Sequence, residues 1–177
     1  MNYVKNILIT GLPGVGKTAL IKRLAEIFKE FNPAGFYTED IKEDGIKTGY
    51  NAVSLYGDSI ILAHITLKSK HRVGKYKLNI RGFDTFLIDI FMRDKKKGLY
   101  IIDEIGKIEC KSKKFGKFMD ELLDSELPVI ASIADKGTGI ISDIKKRDDV
   151  KLIEILPENK VQIQKNLTME LRDILLE

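Results

Sequence analysis

The stretch Gly11-Leu12-Pro13-Gly14-Val15-Gly16-Lys17-Thr18 satisfies the pattern GxxxxGK[ST] at every position. Each residue type has a physical reason. Gly16 lets the backbone curl closely, so that successive N–H groups point inward and form an anion nest. Lys17 is long enough to reach β- and γ-phosphates, and a Thr18 hydroxyl at this spacing falls on Mg²⁺. A helix starting here adds the positive end of its dipole. The surroundings fit: Val4 to Thr10 is a short β-rich run, and Leu20, Leu24, Ile27, Phe28 and Phe31 follow at helical spacing until Pro33 stops them. A glycine-rich turn that merely caps a helix is the alternative, and it explains neither Lys17 nor Thr18.

Further along, strand and helix patterns take turns. Gly35 to Lys42 reads as a strand, Asp44-Gly45 as a hairpin turn, and Thr48 to Leu55 and Ser59 to Ile65 as further antiparallel strands. A helical period runs from Arg81 to about Lys97. The apolar strand Leu99 to Ile102 ends in Asp103-Glu104. An amphipathic helix follows, with Phe115, Phe118, Met119, Leu122 and Leu123 on one face. Then come the strand Val129 to Ile133, a short helix at Ile140 to Lys146, the strand Val150 to Leu156 and a helix from Val161 to Leu176. Apolar strands alternating with amphipathic helices predict an α/β fold, a three-layer sandwich around a mainly parallel sheet. The antiparallel hairpin after the first helix is an insertion or edge. All 177 residues are expected to form a single domain.

Composition narrows the function classes. The net charge is +4, with 44% apolar and 32% charged residues. The basic runs, Lys95 to Lys97 and Lys111 to Lys114, carry no interleaved aromatics, so a solvated lysine surface is favoured over nucleic-acid binding. A lone cysteine, Cys110, excludes an internal disulfide, and no Cys/His cluster suggests zinc. The segment starting Met1-Asn2-Tyr3 lacks signal-peptide features, and no apolar run approaches a membrane span. A cytoplasmic monomer is expected.

An apolar strand ending in Asp103 is a Walker B arrangement, the carboxylate holding Mg²⁺ through water. Glu104, one residue on, would reach the open end of the sheet and orient or deprotonate a water in line with the γ-phosphate. Its alternative is a helix N-terminal carboxylate. Lys107 has two readings, a cation neutralising γ-phosphate charge or a surface lysine paired with Glu109, and spacing alone favours the second. Arg72 and Lys75 sit in a segment equally consistent with closure onto a nucleotide and with an exposed turn. His64 reads as packed in a strand.

Several of these segments together resemble the small P-loop nucleoside-triphosphatases, a family with thermophile members and a human cancer-related one. The resemblance runs through the glycine loop, Gly35-Phe36-Tyr37-Thr38-Glu39, Val73-Gly74-Lys75-Tyr76, Asp103-Glu104-Ile105-Gly106-Lys107-Ile108-Glu109 and Pro157-Glu158-Asn159-Lys160. It implies slow, Mg²⁺-dependent hydrolysis of ATP, GTP and other nucleoside triphosphates on a RecA-like or adenylate-kinase-like sheet. It implies that Glu104 activates water, that Lys107 belongs to the active site, and that Asn159 and Lys160 lie near the base. Lys160 stands in place of the family's Arg, and an ammonium does not stack flat on a base as a guanidinium does. Two other readings use the same phosphate machinery. A kinase would need arginines converging on two sets of phosphates, and the six here are scattered at 23, 72, 81, 93, 147 and 172. The other is a nucleotide-dependent switch acting on RNA or a partner protein; its Ras-like form would carry NKxD, which Asn159-Lys160-Val161-Gln162 does not complete.

Overall fold

The computed structural model describes residues 4–93 and 96–176. The expected start at Met1 to Tyr3, and Lys95 of the first basic run, lie outside them. β1 (Asn6–Thr10) is buried at all five positions. It lies between β8 (Val129–Ile133) and β9 (Val150–Glu154), parallel to both. β7 (Tyr100–Ile105) lies beyond β8, and β2 (Ala34–Glu43) beyond β7, again parallel. One strand, β8, thus separates the glycine-loop strand from the acidic strand.

The period of two divides each strand's side chains between the two faces. Ile7, Ile9, Ile101 and Ile130 meet Leu20, Ile21, Leu24 and Phe28 of α1 (Lys17–Ile27) and its end, and Leu167 and Leu171 of α5 (Lys160–Leu176). Leu8, Phe36, Ile102, Val129 and Ala131 face the other way. They meet α2 (Ile80–Phe91), α3 (Lys113–Asp124) and α4 (Ile140–Lys145). Phe36 ties that layer together, its ring 5.6, 6.0 and 6.2 Å from those of Phe83, Phe86 and Phe115 at steep angles. Such pairs add about 0.5–1.5 kcal/mol each beyond the area they bury. The three-layer α/β sandwich is as expected.

The hairpin is more than an insertion. β2 pairs with β3 (Ile46–Ser54) across Asp44-Gly45, whose φ values of 47° and 78° make the two-residue turn that matches strand twist. β4 (Ser59–His64), β6 (Tyr76–Leu78) and the edge strand β5 (Arg72–Val73) extend the same sheet to nine strands. Four pairings are parallel and four antiparallel, so the parallel part is half of a mixed sheet. The segment at Arg72 to Tyr76, read as a loop, is the β5–β6 hairpin. α2 stops at Phe91, short of the expected Lys97; beyond Met92 the sequence Arg93-Asp94-Lys95-Lys96-Lys97 offers no apolar side chain to continue its stripe.

Candidate active site

β1 delivers the chain to Gly11, and α1 begins at Lys17. Gly16 precedes the helix with φ 109°, a conformation that strains any residue with a Cβ. No side chain caps the first turn of α1, so its N–H groups remain available to an anion. Leu12, Pro13 and Gly14 form the exposed crest, while Val15 packs against the core. Lys17 is 9% exposed; its ammonium donates to the Gly11 carbonyl at 2.9 Å and the Leu12 carbonyl at 3.4 Å.

Asp103 on β7 is buried, 1% exposed. Its Oδ2 accepts from the Thr18 hydroxyl at 2.9 Å, and from the Thr38 hydroxyl at 3.2 Å and backbone N–H at 3.4 Å. Its Oδ1 accepts from the Ser132 hydroxyl. Four donors from α1, β2 and β8 hold this carboxylate, and none is a cation. Buried carboxylates ordinarily require a charge partner or a metal. The oxygens of Thr18, Thr38 and Asp103 are hard donors of the type Mg²⁺ takes, in a set small enough to be completed by water and phosphate. Among the described residues no cluster of three or more His, Cys, Asp or Glu offers an all-protein cage.

Thr38 and Ser132 are the site residues the sequence reading missed. Thr38 stood inside a quoted motif without a role. Ser132 is a polar residue, wholly buried, in the apolar strand Val129–Ile133; a buried hydroxyl needs a partner, and that was its signal.

β7 continues through Ile105, so Glu104 sits within the strand rather than at a helix start. The Asp103–Glu104 peptide is cis. Glu104 Oε2 is 3.9 Å from Lys17 Nζ. Burial raises the Glu104 pKa; Lys17 opposes the rise and Asp103 adds to it. Lys107 is exposed and Glu109 buried, and no ion pair joins them among the described residues. The surface-pair reading of Lys107 therefore has no counterpart here. Burial, and then the charges of Glu104 and Asp103, push the Glu109 carboxyl up to about 8, against hydrogen bonds from its own N–H and that of Gly106. Burial and the charges of Glu109 and Glu104 push the Cys110 thiol up to about 12.

Lys160 Nζ comes 3.4 Å from the point a Cβ on Gly16 would occupy, so this lysine overhangs the glycine loop. The Asn159 side chain is engaged closer to home. It accepts from the Leu156 N–H at 2.8 Å and donates to the Glu154 carbonyl at 3.1 Å, closing the β9–α5 turn. Arg72 bonds the Gly74 carbonyl and Lys75 the Lys47 carbonyl, both within the antiparallel wing. His64, 8% exposed between Thr48 and Thr66, is a packed residue as expected. A cavity of about 850 Å³ lies between α2 and the start of β4 and contains none of the glycine-loop or β7 residues. No described helix is long and apolar enough to cross a membrane.

A family model described as NTPase matches residues 6–168. Nucleoside-triphosphatase THEP1 of Thermotoga sp. (strain RQ2) is 42% identical over 155 residues, 87% of this chain and 88% of that protein. The protein of that name from Methanocaldococcus jannaschii is 37% identical over 160 residues, 84% of this chain and 92% of its own. The crystal structure of THEP1 from Aquifex aeolicus superposes with a TM-score of 0.82 at 33% identity, covering 92% of this chain and 96% of that one. The solution structure of a human cancer-related nucleoside triphosphatase does so at 0.81 and 28%, covering 95% and 97%. Glycine loop, acidic strand, sheet order and relatives agree: the chain belongs to the NTPase family and is a nucleoside-triphosphatase.

Proposed function

We propose that this enzyme hydrolyses nucleoside triphosphates of any base, slowly and with Mg²⁺, using Glu104 to take the proton of the attacking water. The observation that carries the reading is the convergence of Thr18, Thr38 and Asp103 on one point, with Lys17 and Glu104 beside it. Residues Gly11 to Thr18 wrap the phosphates. Lys17 exchanges a backbone carbonyl for β- and γ-phosphate oxygens. Thr18 and Asp103 would hold Mg²⁺, Asp103 through water. When bound, Mg²⁺ neutralises charge on the β- and γ-oxygens. As the water oxygen bonds to the γ-phosphorus, its proton passes to the Glu104 carboxylate. The bond from phosphorus to the bridging oxygen breaks, and its electrons leave with the diphosphate. Lys107, free at the surface, offsets charge growing on the γ-phosphoryl group. Lys160 and the loop that Asn159 closes border the base.

The engagement of three of the six arginines supports slow turnover. Arg93 pairs with Asp58, Arg147 with Asp124 and Asp149, and Arg72 bonds a carbonyl. None of these guanidinium groups is placed as a finger on the γ-phosphate. A single-domain monomer in the cytoplasm fits the one continuous sheet and the lone unpaired cysteine.

The test is a product assay with ATP, GTP, CTP and UTP, with EDTA and then excess Mg²⁺, and with nucleosides and nucleotides as acceptors. Equal release of diphosphate and phosphate from all four is expected, lost with EDTA, restored by Mg²⁺ and well below the roughly 10 s⁻¹ of a median enzyme. Metal-independent turnover, strict preference for one base, or acceptor-dependent consumption with little free phosphate would overturn it.

A further inference from the structure

Positive charge is concentrated at one edge of the sheet. From Ser59 to Phe83 the chain has no Asp or Glu and six Lys or Arg. That stretch alone exceeds the net charge of the whole chain, +4, so the remainder is net acidic. Lys68, Lys70, Arg72, Lys75 and Lys77 lie on the β5–β6 hairpin or just before it, where the nine-stranded sheet ends. None of these five forms an ion pair among the described residues. Arg72 bonds the Gly74 carbonyl at 3.2 Å and Lys75 the Lys47 carbonyl at 3.3 Å. Elsewhere Arg93, Arg147 and Lys151 each meet a carboxylate. The acids of the neighbouring β2 are already engaged: Glu39 with Lys22, Asp40 with Lys47 and Glu43 with His64.

Two aromatic rings stand among these cations. Tyr50 on β3 and Tyr76 on β6 meet across β4, edge to face, with ring centroids 5.1 Å apart. The Lys47 ammonium lies 4.0 Å over the Tyr50 ring, and that of Lys75 5.3 Å over the Tyr76 ring. Both tyrosines are half-buried. Charge on an edge strand also keeps other strands from adding to the sheet. That accounts for Arg72, but neither for Lys68 and Lys70, which precede β5, nor for the rings. Uncompensated cations beside ring faces are the two elements that bind a single strand of nucleic acid, one for its phosphates and one for its bases.

We propose that the β5–β6 wing binds single-stranded nucleic acid, the five cations holding phosphates while bases stack on Tyr50 and Tyr76. An acidic protein surface would match the cations and leave the rings without a role. Six strands separate β5 from β1, so this surface is distinct from the nucleotide site and does not depend on the role of Glu104.

Fluorescence anisotropy tests it with a short labelled strand of mixed sequence, as RNA and as DNA, with the matching duplex, and with poly-glutamate as competitor. A single strand is expected to bind with a Kd below about 100 µM near physiological salt. Log Kd should rise against log salt with a slope of about 3, the value for roughly four or five neutralised phosphates. Lys68→Ala/Lys70→Ala/Arg72→Ala should weaken binding about tenfold or more and lower the slope by about 2. Tyr76→Leu should weaken it about fivefold or more at the same slope, and Tyr76→Phe less than about twofold. ATP hydrolysis without nucleic acid should be unchanged in all three variants. Binding of RNA alone, DNA alone or both supports the proposal and identifies the natural strand. It is overturned if neither strand binds, if the duplex binds as tightly, if poly-glutamate competes as well as unlabelled strand, or if Tyr76→Leu binds like Tyr76→Phe. If Tyr76→Leu does not fold, the duplex and poly-glutamate comparisons decide.

Discussion

Asp103 is a buried carboxylate surrounded by hydroxyls, and that choice of neighbours explains what it can do. Held by a lysine or arginine, its oxygens would be spent on a cation of the protein's own. Held by Thr18, Thr38 and Ser132, it is aimed and desolvated while its charge stays uncompensated. Glu109 meets the same scarcity of cations differently, by keeping its proton, and this has a consequence for stability. Its folded value of about 8 lies above the roughly 4.3 of a solvated glutamate. Between those values the native protein binds a proton that the unfolded chain has released, so stability falls as pH rises from about 4.5 to 8. Urea unfolding without metal or nucleotide at pH 5, 6.5 and 8 should show a steeper decline for the wild type than for Glu109→Gln. Parallel declines would mean that Glu109 is ionised in the folded protein.

At the scale of elements, most of the parallel half was legible because its signals are local. β1, β8 and α4 match their expected spans to within a residue or two, and α3 carries the expected apolar residues, since continuous apolar runs and helical stripes report burial directly. The wing was less legible. β5 and β6 are two and three residues long, too short for a period of two to register; β6 is defined by its partner β4, and β5 by its partner β6. Gly35 shows what pattern cannot. It lies where β2 pairs with β7, at φ 145°, and a Cβ there would come within 1.8 Å of the Ile101 carbonyl oxygen. The next residues on β2, Phe36 and Thr38, reach the core and Asp103. Gly35→Ala should therefore cost far more than the roughly 1 kcal/mol of an ordinary strand substitution, and circular dichroism melts should show it. A variant melting within a few degrees of wild type would contradict the close approach.

Across the whole molecule the site is a meeting of segments far apart in the chain: the β1–α1 loop, β2, β7 with its following turn, β8 and the start of α5. The glycine loop and Asp103-Glu104 were readable because each carries its chemistry in consecutive residues. Thr38 and Ser132 were not, because only the sheet order β2-β7-β8-β1 brings them together. That order puts one strand between the phosphate loop and the acidic strand, so Asp103 receives hydroxyls from both sides and Glu104 faces Lys17. The central claim is that this placement makes Glu104 the group that activates water, and the most direct measurement of it is single-turnover hydrolysis by Glu104→Gln beside its nucleotide Kd. The account predicts an unchanged Kd and a rate reduced by about two orders of magnitude or more, the worth of a positioned acid–base group; near-normal hydrolysis with intact binding would contradict it.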